Sequence, residues 1–489
     1  MSTPPDVEDL IVHHSDSLRE ALECIDQTAQ GICFVVDTGG RLVGVATDGD
    51  IRRGLLEGAD LSDHIQSVME TDFVSLPVTT DEKDIQSRLS SKIRHIPLLD
   101  EDGRPVDYAC RSKYRSIPIM EPHLGGNELS YVTECVETSW ISSQGRFVEK
   151  FEDMVAEYCG VPYALAVSNG TVALHLALEA LGIGEGDEVI VPDFTFAASI
   201  NAILHAGATP VLVDIREDTW LLDPEATSEA ITDRTKAIMP VHLYGQPCNM
   251  DEIVRIADEN GLYIVEDAAE AIGSLYHGEH VGNIGDVGTF SFYGNKTITT
   301  GEGGMVLFQD EETYQYAAQL RDHGMSSSQR YWHDEVGYNY RMTNMQAAVG
   351  VAQLERIDEI VERKIQIGER YRRELSGVEG LTLPVNIDGR KNTYWLFTAV
   401  LKDEIHIERD ELISKMKMNG IDLRPVFYPL HEMPPYQKYG SSHFKVSSYI
   451  SYNGVSFPSS TKLRNYEISN ICEALKSSLE ANRIMGITK

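Results

Sequence analysis

Short apolar runs rich in β-branched residues recur along the chain, and what separates them changes once. GICFVVD (31–37) and RLVGVAT (41–47) are two such runs with only TGG between them, a spacing that predicts a β-hairpin. A helix is expected from Asp50 onward. RHIPLLDEDGRPVDYA (94–109) has the same form, two apolar runs around an Asp-Gly turn, so the first segment reads as an approximate internal repeat. Prolines and paired glycines in RSIPIMEPHLGG (115–126) then mark a linker or a domain entrance.

Beyond that point strand-like runs alternate with helical ones. Candidate strands are YALAVS (163–168), EVIVPDF (188–194), PVLVDI (210–215), AIMPVHLYG (237–245), YIVEDAA (263–269), TFSFYG (289–294) and GMVLF (304–308). Helical stretches such as TVALHLALEALG (171–182) lie between the earlier ones. The pattern predicts an α/β fold whose mainly parallel sheet is covered by helices on both faces. After about residue 355 the pattern turns helical and then mixed, ending in an amphipathic helix near 464–484, which predicts a smaller C-terminal subdomain. The expected divisions are 1–118, 119–365 and 366–489.

Composition narrows this picture. A chain of 489 residues is too long for one hydrophobic core, and 42% apolar residues is ordinary for a globular protein. The formal charge of −34 argues against nucleic acid or an anionic membrane as partner, since both require a cationic surface. No uncharged apolar window of about 18 residues occurs. The start, MSTPPDVEDL, has neither a basic head nor an apolar run, so the expectation is a cytoplasmic protein. Seven cysteines scattered without a Cys-x-x-Cys pair read as reduced thiols, with no disulfide framework and no metal site.

Four segments carry candidate chemistry, each at the carboxyl end of a predicted strand, where ligands of such sheets gather. SNGT (168–171) ends a strand and opens a helix, so small residues there admit an anion to backbone N–H groups and the helix dipole; strand–helix corners also use Asn-Gly for geometry alone. In VPDFTFAAS (191–199), Phe196 could stack on a flat ring or belong to the core. In VEDAAEAIG (265–273), Asp267 is a carboxylate at the end of an apolar strand, where it needs a partner; a protonated pyridine nitrogen suits it, and a helix cap is the plainer reading. In TFSFYGNKTITTGEGGMV (289–306), Lys296 stands among Gly, Asn and Thr rather than on a charged face, as a Schiff-base lysine would. Ser291, five residues earlier, offers a hydroxyl for a phosphate.

Taken in order, these blocks resemble the fold-type-I pyridoxal-phosphate enzymes, and specifically the sugar-nucleotide aminotransferases of the DegT type. WISSQGRFVEKFE (140–152), PVHLYGQP (240–247), GYNYRMTNMQAA (337–348) and RPVFYPLHEMP (424–434) extend the resemblance from about Glu121 to the C-terminus. The resemblance implies a mainly parallel seven-stranded sheet with a small C-terminal α/β subdomain, and pyridoxal 5′-phosphate as cofactor. It makes Lys296 the catalytic lysine, Asp267 the partner of the pyridinium and Phe196 the stacking residue. Gly170, Thr171 and Ser291 would hold the phosphate. Glu270 stands where many relatives have Gln or His near the cofactor's 3-hydroxyl. Asn339 matches a position that reaches the neighbouring subunit's cofactor, which implies a homodimer with shared active sites.

Sugar 3-dehydrases of this fold carry His at the lysine position, so Lys296 points to transamination. The versions WISSQG, EDAAEA and FYGNKTITTGEGGM resemble the GDP-perosamine synthases and related 4-aminotransferases. The implied partners are glutamate as amino donor and a nucleotide-linked 4-keto-6-deoxyhexose such as GDP-4-keto-6-deoxymannose, for surface polysaccharide. A 3-aminotransferase, or one acting on a longer keto sugar, stays open. So does a regulatory protein that holds the cofactor without turnover. His333, Arg341 and Arg424 lie in blocks expected near the substrate, or serve as surface and interface ion pairs.

In the first segment, GVATDGDIRR (44–53) resembles the Gly-hydrophobic-x-Thr-x-x-Asp signature of cystathionine-β-synthase (CBS) domains. That resemblance implies an α+β CBS pair with Thr47 and Asp50 at a nucleotide. DYACRSKY (107–114) stands where a second Thr-x-x-Asp would fall, so at most one complete site is expected. A module that aids assembly without a ligand is the alternative.

Overall fold

A computed structural model describes residues 5–90, 93–110, 117–405, 407–440 and 444–486, so the residues RSKY (111–114) of the second half of the repeat lie outside the described part. The chain divides into two compact units, 1–116 and 117–489.

The sheet of the larger unit follows the apolar runs. Its strands are β1 (Tyr163–Val167), β2 (Glu188–Pro192), β3 (Thr209–Val213), β4 (Thr235–Ile238), β5 (Tyr263–Asp267), β6 (Val287–Ser291) and β7 (Gly304–Phe308), in the order β1-β7-β6-β5-β4-β2-β3. β7 pairs antiparallel with both neighbours, and the remaining pairs are parallel. The run at 237–245 leaves the sheet at Ile238. Two prolines, Pro240 and Pro247, flank its continuation, and Pro cannot donate to a ladder.

Alternate residues of the strands feed two cores. Ala164, Ala166, Ile264, Met305 and Leu307 join one cluster, with Phe151, Phe290 and Phe292. Leu165, Val167, Val265, Val306 and Phe308 join the other, with Leu174 and Leu178. Such two-sided burial is why the strands read as continuous apolar runs, each large side chain contributing roughly 1.5–3 kcal/mol.

Three helices position the cleft and its supports. α1 (Gly170–Ala180) follows β1 and is capped by Asn169, whose side chain accepts from the Val172 N–H. α2 (Ala197–His205) follows β2. α3 (Ile357–Leu375) places Ile357, Ile360 and Val361 in the first core cluster, and Ile367, Tyr371 and Leu375 in a third. That third cluster also takes Phe397, Leu401, Val455 and Phe457 from a four-stranded antiparallel sheet near the C-terminus. The last helix, Asn465–Gly486, packs Ile468, Ile471 and Leu475 on the same cluster.

In the smaller unit the repeat is a repeat of topology. Ile11–His13, Ile32–Val36 and Leu42–Thr47 form one three-stranded sheet; Leu76–Pro77, His95–Leu99 and Pro105–Cys110 form another. In each, the first pair is parallel and the second antiparallel. The helix after the first sheet runs Asp48–Leu56, starting two residues before Asp50 because Thr47 is its N-cap. Among the described residues no helix is long and apolar enough to cross a membrane. All seven cysteines are free thiols, and only Cys24 is not fully buried.

Candidate active site

Four strand ends converge on one cleft of about 680 Å³. Asn169, Gly170 and Thr171 enter it after β1, Thr195 and Phe196 after β2, Asp267 and Glu270 from β5, and Ser291 and Lys296 from β6. Trp395 and Phe427 close it from the C-terminal part of the chain.

At the α1 end the packing leaves no room for a side chain. A Cβ on Gly170 would lie 2.7 Å from the Ser291 Cβ, and one on Gly304 would lie 2.5 Å from the Asn169 carbonyl. The absence of both keeps the α1 N-terminus open beside the Ser291 hydroxyl, a cradle of N–H and O–H donors that suits a phosphate.

Asp267 ends β5, almost fully buried. Its Oδ2 accepts from Ser199 Oγ at 2.7 Å and its Oδ1 from the Ala269 N–H at 3.2 Å. Ser199 lies in the first turn of α2 and also bonds Thr195 at 3.1 Å. The carboxylate is thus fixed in direction while still lining the cleft, so a cationic group there would find it oriented.

Lys296 lies across from it. Its Nζ bonds Glu270 Oε1 at 3.2 Å and sits 3.9 Å from the centre of the Trp395 indole. The Trp395 Nε1–H donates to the carbonyl of Asn295, the residue before Lys296, at 2.8 Å. Glu270 Oε2 accepts from the Tyr244 N–H at 2.9 Å. Burial pushes the Glu270 carboxyl above the usual range, against the opposing pull of Lys296 and of that N–H. Tyr244 supplies its N–H from a left-handed backbone, φ 54°, uncommon for an aromatic residue. Its ring stacks between Trp395 and Phe427, at centroid distances of 6.1 and 5.7 Å. Phe196, at the N-cap of α2, is more than half exposed, lies 5.7 Å from Phe427 and lines the cleft.

Residues 122–476 match the DegT/DnrJ/EryC1/StrS aminotransferase family. The chain belongs to that family. It is 45% identical to the GDP-perosamine synthase of Vibrio cholerae over 366 residues, 74% of this chain and 98% of that protein. Against the GDP-perosamine synthase of Caulobacter vibrioides it is 47% identical over 361 residues, 73% of this chain and 97% of that one. Among solved structures, Streptomyces venezuelae DesV, in complex with a ketimine intermediate, superposes with a TM-score of 0.69 at 36% identity, covering 72% of this chain and 94% of that one. The protein is therefore a pyridoxal-phosphate-dependent sugar aminotransferase of fold type I. Residues 1–57 and 65–109 match CBS domains.

For a DegT-family aminotransferase the cleft fits its cofactor on this chain's own geometry: a donor cradle, an oriented carboxylate and a lysine amine share one cavity. Lys296, Asp267, Glu270, Ser291, Gly170, Thr171 and Phe196 all line it. Asn339, His333, Arg341 and Arg424 are not part of this lining. Asn339 Oδ1 accepts from Arg341 Nε at 3.1 Å, and Arg341 also pairs with Asp322 at 2.8 Å. His333 Nδ1 lies 2.9 Å from the His323 carbonyl. Arg424 is held by Asp422 at 3.0 Å.

Ser199, Tyr244 and Trp395 escaped the sequence reading as members of the site. Ser199 and Tyr244 lie inside blocks that mark the family, but nothing local distinguishes their contacts. Trp395, in KNTYWLFT, has no local signal at all; it reaches Lys296 only through the fold.

In the smaller unit, Thr47 and Asp50 line a pocket of about 750 Å³ with Gln30, Glu70, Asp72, Arg94 and His95. Thr47 Oγ1 donates to Asp50 Oδ2 at 2.6 Å, and the same carboxylate accepts the Thr47 N–H at 2.8 Å.

Proposed function

We propose that the protein transfers an amino group from glutamate to a GDP-linked 4-keto-6-deoxyhexose, the GDP-4-keto-6-deoxymannose that yields a perosamine-type product. The observation that carries this reading is the likeness to GDP-perosamine synthases, 45–47% identical over nearly their whole length. The ring position aminated follows from that likeness, and a 3-amino product would overturn it.

Bound pyridoxal phosphate supplies an aldehyde for amine exchange and a ring that accepts electron density. Gly170, Thr171 and Ser291 hold the phosphate with N–H and O–H donors. Asp267, aimed by Ser199, keeps the ring nitrogen protonated, and Phe196 covers one face. Lys296 Nζ, as a free amine, would take the α-proton of the donor and deliver it to the cofactor's C4′, the carbon on the far side of the shared nitrogen. Glu270, one hydrogen bond from that amine, holds it in reach. By the family resemblance Asn339 serves a second copy's site, in a homodimer with shared active sites. Tyr338 and Tyr340 stack on each other at 4.7 Å, and both lie against His175 of α1, leaving Asn339 between them outside that packing. His333, Arg341 and Arg424 are assigned to the sugar nucleotide on the same basis, their present partners being displaced or supplemented when it binds.

The visible spectrum of the purified protein, recorded with and without glutamate, tests the first half-reaction. A band bleached by glutamate in the wild type and absent in Lys296→Ala supports it. Return of the band with GDP-4-keto-6-deoxymannose, with a 4-amino product, supports the second; a colourless protein indifferent to added cofactor overturns both.

For the smaller unit we propose that Thr47 and Asp50 contact the ribose or phosphate of a nucleotide. The size of their pocket and the presence of Arg94 and His95 on its wall support this. Calorimetric titration with adenine, guanine and cytosine nucleotides checks it; no heat with any of them leaves the assembly role.

A further inference from the structure

Lys364 is 1% exposed, in the middle of α3, and belongs to no predicted site. Burying a lysine is costly unless its donors are satisfied. Its Nζ bonds the Trp395 carbonyl at 2.6 Å and the Ser459 carbonyl at 2.7 Å. Glu121, which lines the same small void, is paired with Lys462 at 2.8 Å. Burial alone pushes the Lys364 amine down, to about 7. Even uncharged, a primary amine keeps two N–H donors, enough for both carbonyls, so the tether holds in either protonation state.

The tethered residue connects Lys364 to the cleft. Trp395 is the residue whose ring faces Lys296 Nζ and whose indole N–H holds the Asn295 carbonyl. A chain of contacts therefore runs from α3 through Lys364 to the Trp395 backbone, and from the Trp395 side chain to both the reactive amine and the peptide that carries it. A methionine would fill the same space without the cost of burying an amine; what it could not do is fix a carbonyl.

We propose that Lys364 is a positioning residue that sets the place of the Lys296 amine by fastening Trp395. It acts on this chain's own lysine, and it rests on Lys296 being the reactive one.

The test uses cofactor-free full-length protein and reads the rate at which the Lys296 amine condenses with pyridoxal, which lacks the phosphate. Lys296→Ala is measured first, as the background from the chain's other lysines: if its rate equals that of the wild type, the assignment of Lys296 fails, whatever Lys364 does. With that background subtracted, Lys364→Met is expected to slow capture about tenfold or more, as a small misplacement of a reacting group does. Lys364→Arg, which keeps donors for both carbonyls, is expected to recover part of the rate. Trp395→Leu should slow capture comparably, and the Lys364→Met, Trp395→Leu double variant should be no slower than either alone, because both break one linkage. Additive losses, or a wild-type rate in Lys364→Met, overturn the proposal. If Lys364→Met is not recovered folded, Lys364→Gln is read in its place. If neither folds, Lys364 is a residue of stability only and the proposal falls.

Discussion

Around Lys296 the bonds that aim the polar groups reach far along the chain: Glu270 lies 26 residues away, the Ser199 that holds Asp267 lies 68 away, and Trp395 bonds the carbonyl of a residue 100 before it. Around Thr47 the partners are neighbours. Thr47 and Asp50, three residues apart, satisfy each other as a capping box at the start of a helix. The larger unit's cleft is assembled by the fold and holds its groups in place before any ligand arrives. The smaller unit's polar pair has a complete local role, and a nucleotide would have to compete with it. A motif in the first setting is evidence of a site; a motif in the second is also explained by helix capping.

That contrast can be broken most sharply at Lys296. Lys296→Ala should lower turnover by at least about 10³-fold, since the proton transfer loses its base, with rates of amine transfer as the measure. Asp267→Asn should cost on the order of 10²–10³-fold by removing an oriented charge. Ser199→Ala, which removes only the aiming bond, should cost about tenfold, the roughly 1.5 kcal/mol at the lower end for a hydrogen bond to a charged group. Turnover that ignores both would show that the long-range network does not tune the site.

An effect of similar size is expected at the anion cradle. Gly170→Ala puts a Cβ 2.7 Å from Ser291, and the overpacking should weaken cofactor binding by about 1–3 kcal/mol, read by spectroscopic titration. The pH dependence of stability sharpens the comparison next. Lys364 is held low, to about 7, against an unfolded value of about 10.4. The unfolded chain therefore binds more protons between these values, and this residue's contribution to stability rises with pH across that window. It is fully present above the unfolded value and lost as pH falls through about 7. Denaturant unfolding of Lys364→Met should show a flatter rise than the wild type between these limits. The other ionisable groups lining the void, Glu121, His123 and Lys296, are common to both proteins. The smallest effect belongs to the local motif: Thr47→Ala should destabilise the N-terminal unit by about 1 kcal/mol through the lost cap, measured by its thermal transition.

The strand pattern, the repeat in the first segment and seven residues of the cleft were legible because their signals are local. Apolar runs of four to six residues report burial on both faces of a sheet, and Gly, Asp, Ser and Lys at strand ends report where a ligand approaches. The register of the fourth strand was not legible. The apolar run continues past Ile238, and its end is decided by Pro240 and by the turn that aims the Tyr244 N–H at Glu270.

By itself the sequence determined the fold class, the family and the cofactor, since each depends on residue types in a fixed order along the chain. Only the tertiary structure decided what stands around Lys296. Trp395, Ser199 and Lys364 owe their roles to contacts across 31 to 100 residues. No periodicity records such contacts, because a buried amine and a packed indole look, in one dimension, like any other lysine and tryptophan.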